Sequence, residues 1–118
     1  MKTIEQNIPK EIQLSTITML DDGHLYNVTT NESKHSTDIQ FGKGGRNTPN
    51  RTAGMDHQSL IYIVIDRLEY FKKLFPESTE NDETIKLLKQ ALKLMDDRTI
   101  ERYERGVLGN NGEDYKEE

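Results

Sequence analysis

The segment from Asp56 to Phe75 limits the possible folds of this chain most, because it predicts a helix with apolar residues on two faces. The first apolar stripe consists of Ile61, Val64, Ile65, Leu68 and Phe75. The second consists of Leu60, Ile63, Tyr70, Phe71 and Leu74. A helix with two apolar faces must be covered on both sides. We expect one cover from a sheet or a second helix, and the other from a neighbouring subunit.

A second helix is predicted from about Asp82 to Arg105, after Pro76 has ended the first. Asn81 is a plausible N-cap residue, and Gly106 is a plausible C′ residue. Its core stripe consists of Ile85, Leu88, Leu92 and Met95.

The residues before the first helix have the pattern of β-strands. Apolar and polar residues mix from Ile12 to Met19, Asp21-Asp22-Gly23 predicts a turn, and residues 24–30 and 36–41 predict two further strands. Residues 1–11 are expected to form a loosely held arm. The sequence therefore predicts an oligomeric α+β fold, in which a three-stranded antiparallel β-meander precedes a two-helix antiparallel hairpin.

The composition predicts the number of domains, the size of the core and the kinds of partner that the chain can bind. The chain has 118 residues, of which 32% are hydrophobic and 31% charged, so we expect one domain with a thin core that self-association would support. We assign residues 1–111 to a single ligand-binding domain and residues 112–118 to a disordered acidic tail. The net charge of −5 argues against binding to nucleic-acid polymers.

Cysteine is absent from the sequence, which excludes disulfides and thiolate sites. The N-terminal residues lack the pattern of a signal peptide, and no apolar run has the roughly 20 residues that a membrane span needs. We therefore expect a cytoplasmic protein without membrane contact.

A row of arginines near the end of the second helix, Arg98, Arg102 and Arg105, is the strongest candidate for a binding site. Arg98 and Arg102 are neighbours at i and i+4, and Arg102 has no acidic residue three or four positions away on its own helix. Arg98 and Arg105 compete for Glu101. Guanidinium groups match phosphate geometry, so the pair predicts an anion site. The alternative is a solvated helix end, at which cations complement the helix dipole.

The loop at residues 42–54, GKGGRNTPNRTAG, has three basic residues and no acidic one. It is not a Walker A motif, because Lys43 precedes Gly44 and Gly45. Backbone N–H groups of glycine-rich turns can bind anions, and Arg46 could reach such an anion. A flexible connector is the alternative.

Two further residues have two interpretations each. Phe71 is either a core aromatic or a platform on which a base stacks. Asn81 is either an N-cap or an amide that pairs with a base edge.

Catalytic arrangements are not predicted. His24, His35 and His57 lie in three separate elements without metal-ligand spacing, and no serine has a GxSxG context. We therefore expect a protein that is not an enzyme and that has no cofactor and no metal.

Three segments resemble the Thoeris anti-defence protein 1 family: IVIDRLEYFKKLF, then Asn81, then ALKLMDDRTIERYERGVLGNN. The most specific parts are Asp-Arg-Thr-x-x-Arg and the closing Glu-Arg-Gly-Val-x-Gly. The resemblance covers about residues 40–111. It implies a small phage protein that sequesters glycocyclic ADP-ribose, the signal of the Thoeris defence system, without cleaving it.

The resemblance also implies an oligomer of dimers, hexameric in some members, with ligand pockets between subunits. Some members bind cyclic di- or trinucleotides of a second defence system at separate sites. By motif, Phe71 corresponds to the residue that stacks on a base, and Asn81 to the polar residue that faces a base. The resemblance places Arg98 and Arg102 on the diphosphate, with Thr99 beside them and Arg46 as a further basic contact.

Two other functions remain open from the residues. The acidic surface and tail could instead block a defence enzyme directly, as a protein-binding inhibitor. A nuclease that degrades the signal is disfavoured by the absence of a metal-ligand pattern in the sequence.

Overall fold

The computed structural model describes residues 1–44, 49 and 51–106. Its strands are β1 (Lys2–Thr3), β2 (Ser15–Asp21), β3 (Leu25–Thr30) and β4 (Ser36–Gln40), and its helices are α1 (His57–Leu74) and α2 (Thr79–Glu104). The order of strands and helices confirms the α+β class.

The chain divides into two compact units. A sheet unit consists of Met1–Lys43 with Arg51–Met55, and a helical unit contains both helices. The single ligand-binding domain over residues 1–111 stays a prediction. The tail predicted at residues 112–118 lies outside the described residues.

The sheet is antiparallel, with its strands in the order β1-β2-β3-β4. One face carries half-buried apolar residues on paired strands, as where Ile17 faces Val28. The other face is polar, and Asn27 Nδ2 donates there to Ser36 Oγ at 2.7 Å and to Asp38 Oδ1 at 2.8 Å. This alternation is typical of an antiparallel sheet with one solvated face.

Within the described residues the sheet has four strands, so the predicted three-stranded meander was wrong by one strand. The additional strand lies in the segment that was predicted to be a loose arm. It pairs with β2, and just beyond it Ile4 N donates to Ile17 O at 2.8 Å. A strand of two residues is too short to show the alternation that identifies strands in a sequence. The strand expected from Ile12 begins only at Ser15, because residues 10–12 form a 3-10 turn.

The two helices form an antiparallel hairpin, as predicted. Contacts between them run in opposite sequence order, with Tyr62 bound to Asp96, Lys89 to Glu69 and Lys72 to Asp82. The buried core of the described residues lies between these helices and consists of Ile65, Ile85 and Leu92; the residues packed against it are Ile61, Leu68, Leu88 and Met95. The predicted core stripe of α2 is therefore confirmed.

The first predicted apolar stripe is only partly buried. Val64 of α1 and Phe75, which follows the end of this helix, are both exposed. Three members of the second stripe, Ile63, Tyr70 and Leu74, are more than half exposed. A second cover from a neighbouring subunit stays a prediction.

Helix α2 begins at Thr79 rather than at Asp82, and its N-cap is Ser78 rather than Asn81. Ser78 Oγ accepts from the backbone N–H of Asn81 at 3.3 Å. Serine and asparagine are almost equally good N-cap residues, so the sequence alone could not distinguish these two starts. Gly106 ends the helix with a φ of +75°, which confirms the predicted C′ residue.

Among the helices of the described ranges, none is long and apolar enough to cross a bilayer.

Candidate ligand-binding site

Arg98, Thr99 and Arg102 line one cleft of the helical unit, with a volume of about 360 Å³. Arg98 and Arg102 lie one helical turn apart on the same face of α2. Met95 and three residues at the start of α1, Asp56, His57 and Gln58, complete the lining. The cleft therefore combines two guanidinium groups with the positive end of a helix dipole, which is an arrangement suited to an anion.

Both cleft arginines already make an interaction within the protein. An anion bound in the cleft would add to that interaction or replace it. Arg105 is different, because it forms an ion pair with Glu101 and does not line this cleft. The third arginine of the row is therefore set apart from the other two, as its spacing from Glu101 predicted.

The start of α1 is held by its N-cap, Asp56. The Asp56 carboxylate accepts from Ser59 N at 3.0 Å and from Ser59 Oγ at 2.7 Å. These hydrogen bonds, above all the one from the hydroxyl, lower the pKa of Asp56 despite its partial desolvation. The acidic residue of the cleft is thus engaged in capping.

Replacing Asp56 by alanine should lower the free energy of unfolding at pH 7 by about 1 kcal/mol, because the cap is lost. A lowered pKa stabilises the native state above the unfolded pKa, and this contribution disappears as the pH falls through the folded value. The deficit of Asp56→Ala should therefore shrink below about pH 4. Urea unfolding of the variant and the wild type at pH 7 and pH 3 measures this difference in the free energy of unfolding.

Asp56→Asn is the matched control, because asparagine also caps a helix but does not titrate. It should stay close to the wild type at pH 7. If Asp56→Ala lowers the free energy of unfolding equally at both pH values, the charge of the carboxylate has no role in the cap.

Thr99 is held from α1 by Gln58. Gln58 Nε2 donates to Thr99 Oγ1 at 2.9 Å and lies 3.3 Å from Asp96 Oδ1. The second oxygen of Asp96 accepts from the Tyr62 hydroxyl at 2.5 Å, and this hydrogen bond raises the pKa of Tyr62. The cleft wall is therefore cross-linked between both helices by side-chain hydrogen bonds.

Phe71 lies towards the other end of α1 and outside the buried core cluster of the described residues. Its ring is half-buried. The Arg67 guanidinium lies 4.6 Å from its centroid, and Phe75 stacks at 6.3 Å with an interplanar angle of 20°. A base stacked on this ring would therefore lie close to Arg67 or Phe75.

Asn81 lies in the first turn of α2 and is half-buried. Because Ser78 supplies the cap, the capping interpretation of the Asn81 side chain is wrong. Its amide is therefore not required as the N-cap.

The predicted site residues fall into two groups at opposite ends of the hairpin. Asn81 and Arg98 are separated by 17 positions of α2, which corresponds to roughly 25 Å along the helix axis. Phe71 is similarly remote from Gln58, by roughly 20 Å along α1. The structure brings Arg98, Thr99 and Arg102 together but leaves Phe71 and Asn81 apart from them. Arg46 lies outside the described residues.

No protein-family model matches this chain. Over 58 residues, however, the chain is 40% identical to Thoeris anti-defense 1 of Bacillus phage SBSphiJ7. The match supports membership of the Thoeris anti-defense 1 family. The matched segment covers 49% of this chain and 41% of the Bacillus phage protein, so the chain spans less than half of that relative's length.

The resemblance to this family that the sequence suggested is thus supported over part of the chain. The residues that the Thoeris anti-defense 1 resemblance assigned to the ligand stay predictions.

Three residues of the cleft, Asp56, His57 and Gln58, were not among those predicted from the sequence to contact a ligand. A signal for them existed in the short connection between the two helices. In a tight antiparallel hairpin, the first turn of one helix lies beside the last turns of the other, so the start of α1 had to lie near the arginines.

Proposed function

We propose that this chain is a phage anti-defence protein that binds glycocyclic ADP-ribose and holds it without cleaving it. The name of its relative, Thoeris anti-defense 1, supports the anti-defence role. Sequestration of the signal would deprive the Thoeris effector of its activator.

The observation that carries the proposal is the common cleft of Arg98, Thr99 and Arg102. A diphosphate presents several anionic oxygens, and guanidinium groups bind such oxygens in pairs. The adjacent N-terminus of α1 adds a favourable dipole. This part of the cleft is therefore suited to the diphosphate of the signal.

We propose further that each complete pocket is formed by two subunits. The roughly 25 Å between Asn81 and Arg98 along α2 exceeds what one nucleotide can bridge within a single chain. A second copy can bring its Phe71 and Asn81 to the arginine end of the first. The exposed residues Ile63, Tyr70 and Leu74 support such an association, which we propose to continue from dimers to a hexamer. Binding of cyclic di- or trinucleotides at separate sites belongs to the same proposal.

The test is capture followed by release. Protein is mixed with glycocyclic ADP-ribose, separated by filtration and denatured, and the released nucleotide is analysed by mass spectrometry. Recovery of the intact signal is expected. A linear product would show hydrolysis. Free signal in the filtrate, together with co-purification of a defence protein, would instead favour a protein-binding inhibitor.

A further inference from the structure

A chain of four polar groups crosses the wall of the cleft. Asp96 accepts from Gln58, Gln58 donates also to Thr99, and Thr99 Oγ1 donates to the backbone oxygen of Met95 at 3.1 Å. Thr99 is half-buried and lines the cleft beside both arginines.

The two end groups of this hydrogen-bonded series, the Met95 carbonyl and the Asp96 carboxylate, fix the direction of every hydrogen bond between them. The Met95 carbonyl can only accept, so it takes the single hydroxyl proton of Thr99. The Asp96 carboxylate accepts from Tyr62 and Gln58, which requires the amide nitrogen of Gln58 to face it. The second proton of that nitrogen then occupies one lone pair of Thr99 Oγ1. What Thr99 retains for a ligand is one acceptor lone pair and no proton.

We infer that Thr99 recognises a hydroxyl group of the ligand's ribose and not its phosphate, and that Gln58 is the positioning residue that imposes this choice; the inference rests on the proposed function. An acceptor lone pair repels a phosphate oxygen and binds an O–H group. Arginine side chains, in contrast, only donate, so Arg98 and Arg102 select the phosphates. The cleft therefore separates the two chemical parts of a nucleotide, with donors for the diphosphate and one acceptor for the sugar.

The experiment measures affinities for two probes, glycocyclic ADP-ribose and inorganic pyrophosphate, by calorimetry. Thr99→Val should lower the affinity for the nucleotide about five-fold, which is the effect of one neutral hydrogen bond. The affinity for pyrophosphate should change by less than two-fold. Thr99→Ser should restore nucleotide binding. Thr84→Val is the matched control, since Thr84 makes the same bond to a preceding carbonyl, 2.7 Å from Glu80 O, near the opposite end of α2.

Gln58→Met tests the positioning role. Without the amide, the Thr99 hydroxyl can rotate and donate to phosphate, so the preference for the nucleotide over pyrophosphate should fall. In the Thr99→Val background the same change should leave that preference unaltered, because the group that Gln58 orients is gone. If Gln58 had a purely structural role, Gln58→Met would lower the affinities for both probes alike in both backgrounds.

Several results would overturn the inference. Equal weakening of both probes by Thr99→Val would show that the hydroxyl donates to phosphate. An unchanged affinity for the nucleotide in Thr99→Val would show that Thr99 does not contact it. Wild-type protein that binds the nucleotide but shows no measurable binding of pyrophosphate would refute the independent selection of phosphates by the arginines. If the wild type binds neither probe, the proposed function fails as well. Loss of nucleotide binding in Arg102→Ala but not in Thr99→Val would overturn only the inference.

Discussion

Replacing Arg102 by alanine should weaken the binding of glycocyclic ADP-ribose by about 100-fold, because a bidentate contact to phosphate contains two charge-assisted hydrogen bonds. Arg102 is the half-buried member of the cleft pair, and Arg98 is the exposed one. We therefore expect a smaller loss for Arg98→Ala. Titration calorimetry gives the affinity, and circular dichroism confirms that each variant is folded.

Arg105→Ala is the matched control for this prediction. It removes the same type of side chain three residues later, at the C-cap of α2. The guanidinium there is paired with Glu101, so the change should alter the affinity by less than two-fold. Arg102→Lys should recover only part of the binding, since an ammonium group cannot bind phosphate through a planar fork. An affinity of Arg102→Ala equal to that of the wild type would place the pocket elsewhere.

Mixed oligomers test whether the pocket is shared between subunits. Phe71→Ala and Arg102→Ala chains, co-expressed with different tags and purified through both, should regain binding that each variant lacks alone. In a symmetric pair, one pocket then carries both substitutions and the other carries neither. Co-assembly without recovery of binding would contradict a pocket formed by two chains.

Replacing Leu92 by alanine should have the largest effect on stability, lowering the free energy of unfolding by about 2–5 kcal/mol. Leu92 is 5% exposed and is one of the three buried core residues of the described chain. With so few buried side chains, little remains to compensate for the cavity, and such a loss is a large part of the roughly 5–15 kcal/mol that stabilises a typical domain. Urea unfolding at a fixed protomer concentration measures it.

Leu94→Ala is the control, because Leu94 lies on the same helix and is 74% exposed. In the isolated chain it should lower the free energy of unfolding far less than Leu92→Ala does. Equal losses would show that the α1–α2 contact is not the main core, or that Leu94 is covered in an oligomer, and the dependence on protomer concentration separates the two.

The helices were predictable because their signals are local and repeated. The spacing of Ile85, Leu88 and Leu92 reports one buried face over several turns, and Pro76 and Gly106 mark helix ends. Strand β1 was missed because two residues carry no period. The start of α2 was misplaced because Ser78 and Asn81 are both good caps, and only the backbone geometry distinguishes them.

The arginine pair was predictable for the same local reason, since i and i+4 lie on one face of any helix. The short connection between the helices places the start of α1 near the arginines, but the particular contacts of Gln58 were not predictable. Gln58 lies 38 residues before Asp96 and 41 before Thr99, and no local pattern reports which side chains meet over such a distance. The separation of Phe71 from Arg98 also depends on the antiparallel course of the helices.

The sequence by itself therefore determined the α+β class, the hairpin of helices and the row of guanidinium groups, because each depends on residues within a few turns of one another. Only the tertiary structure decided which residues meet those arginines and which do not. It placed the start of α1, with Asp56 and Gln58, against Arg98 and Thr99, and it placed Phe71 and Asn81 at the far end. The physical reason is that the spacing along one helix sets which residues share a face, whereas the contacts between side chains of two helices depend on how those faces pack against each other.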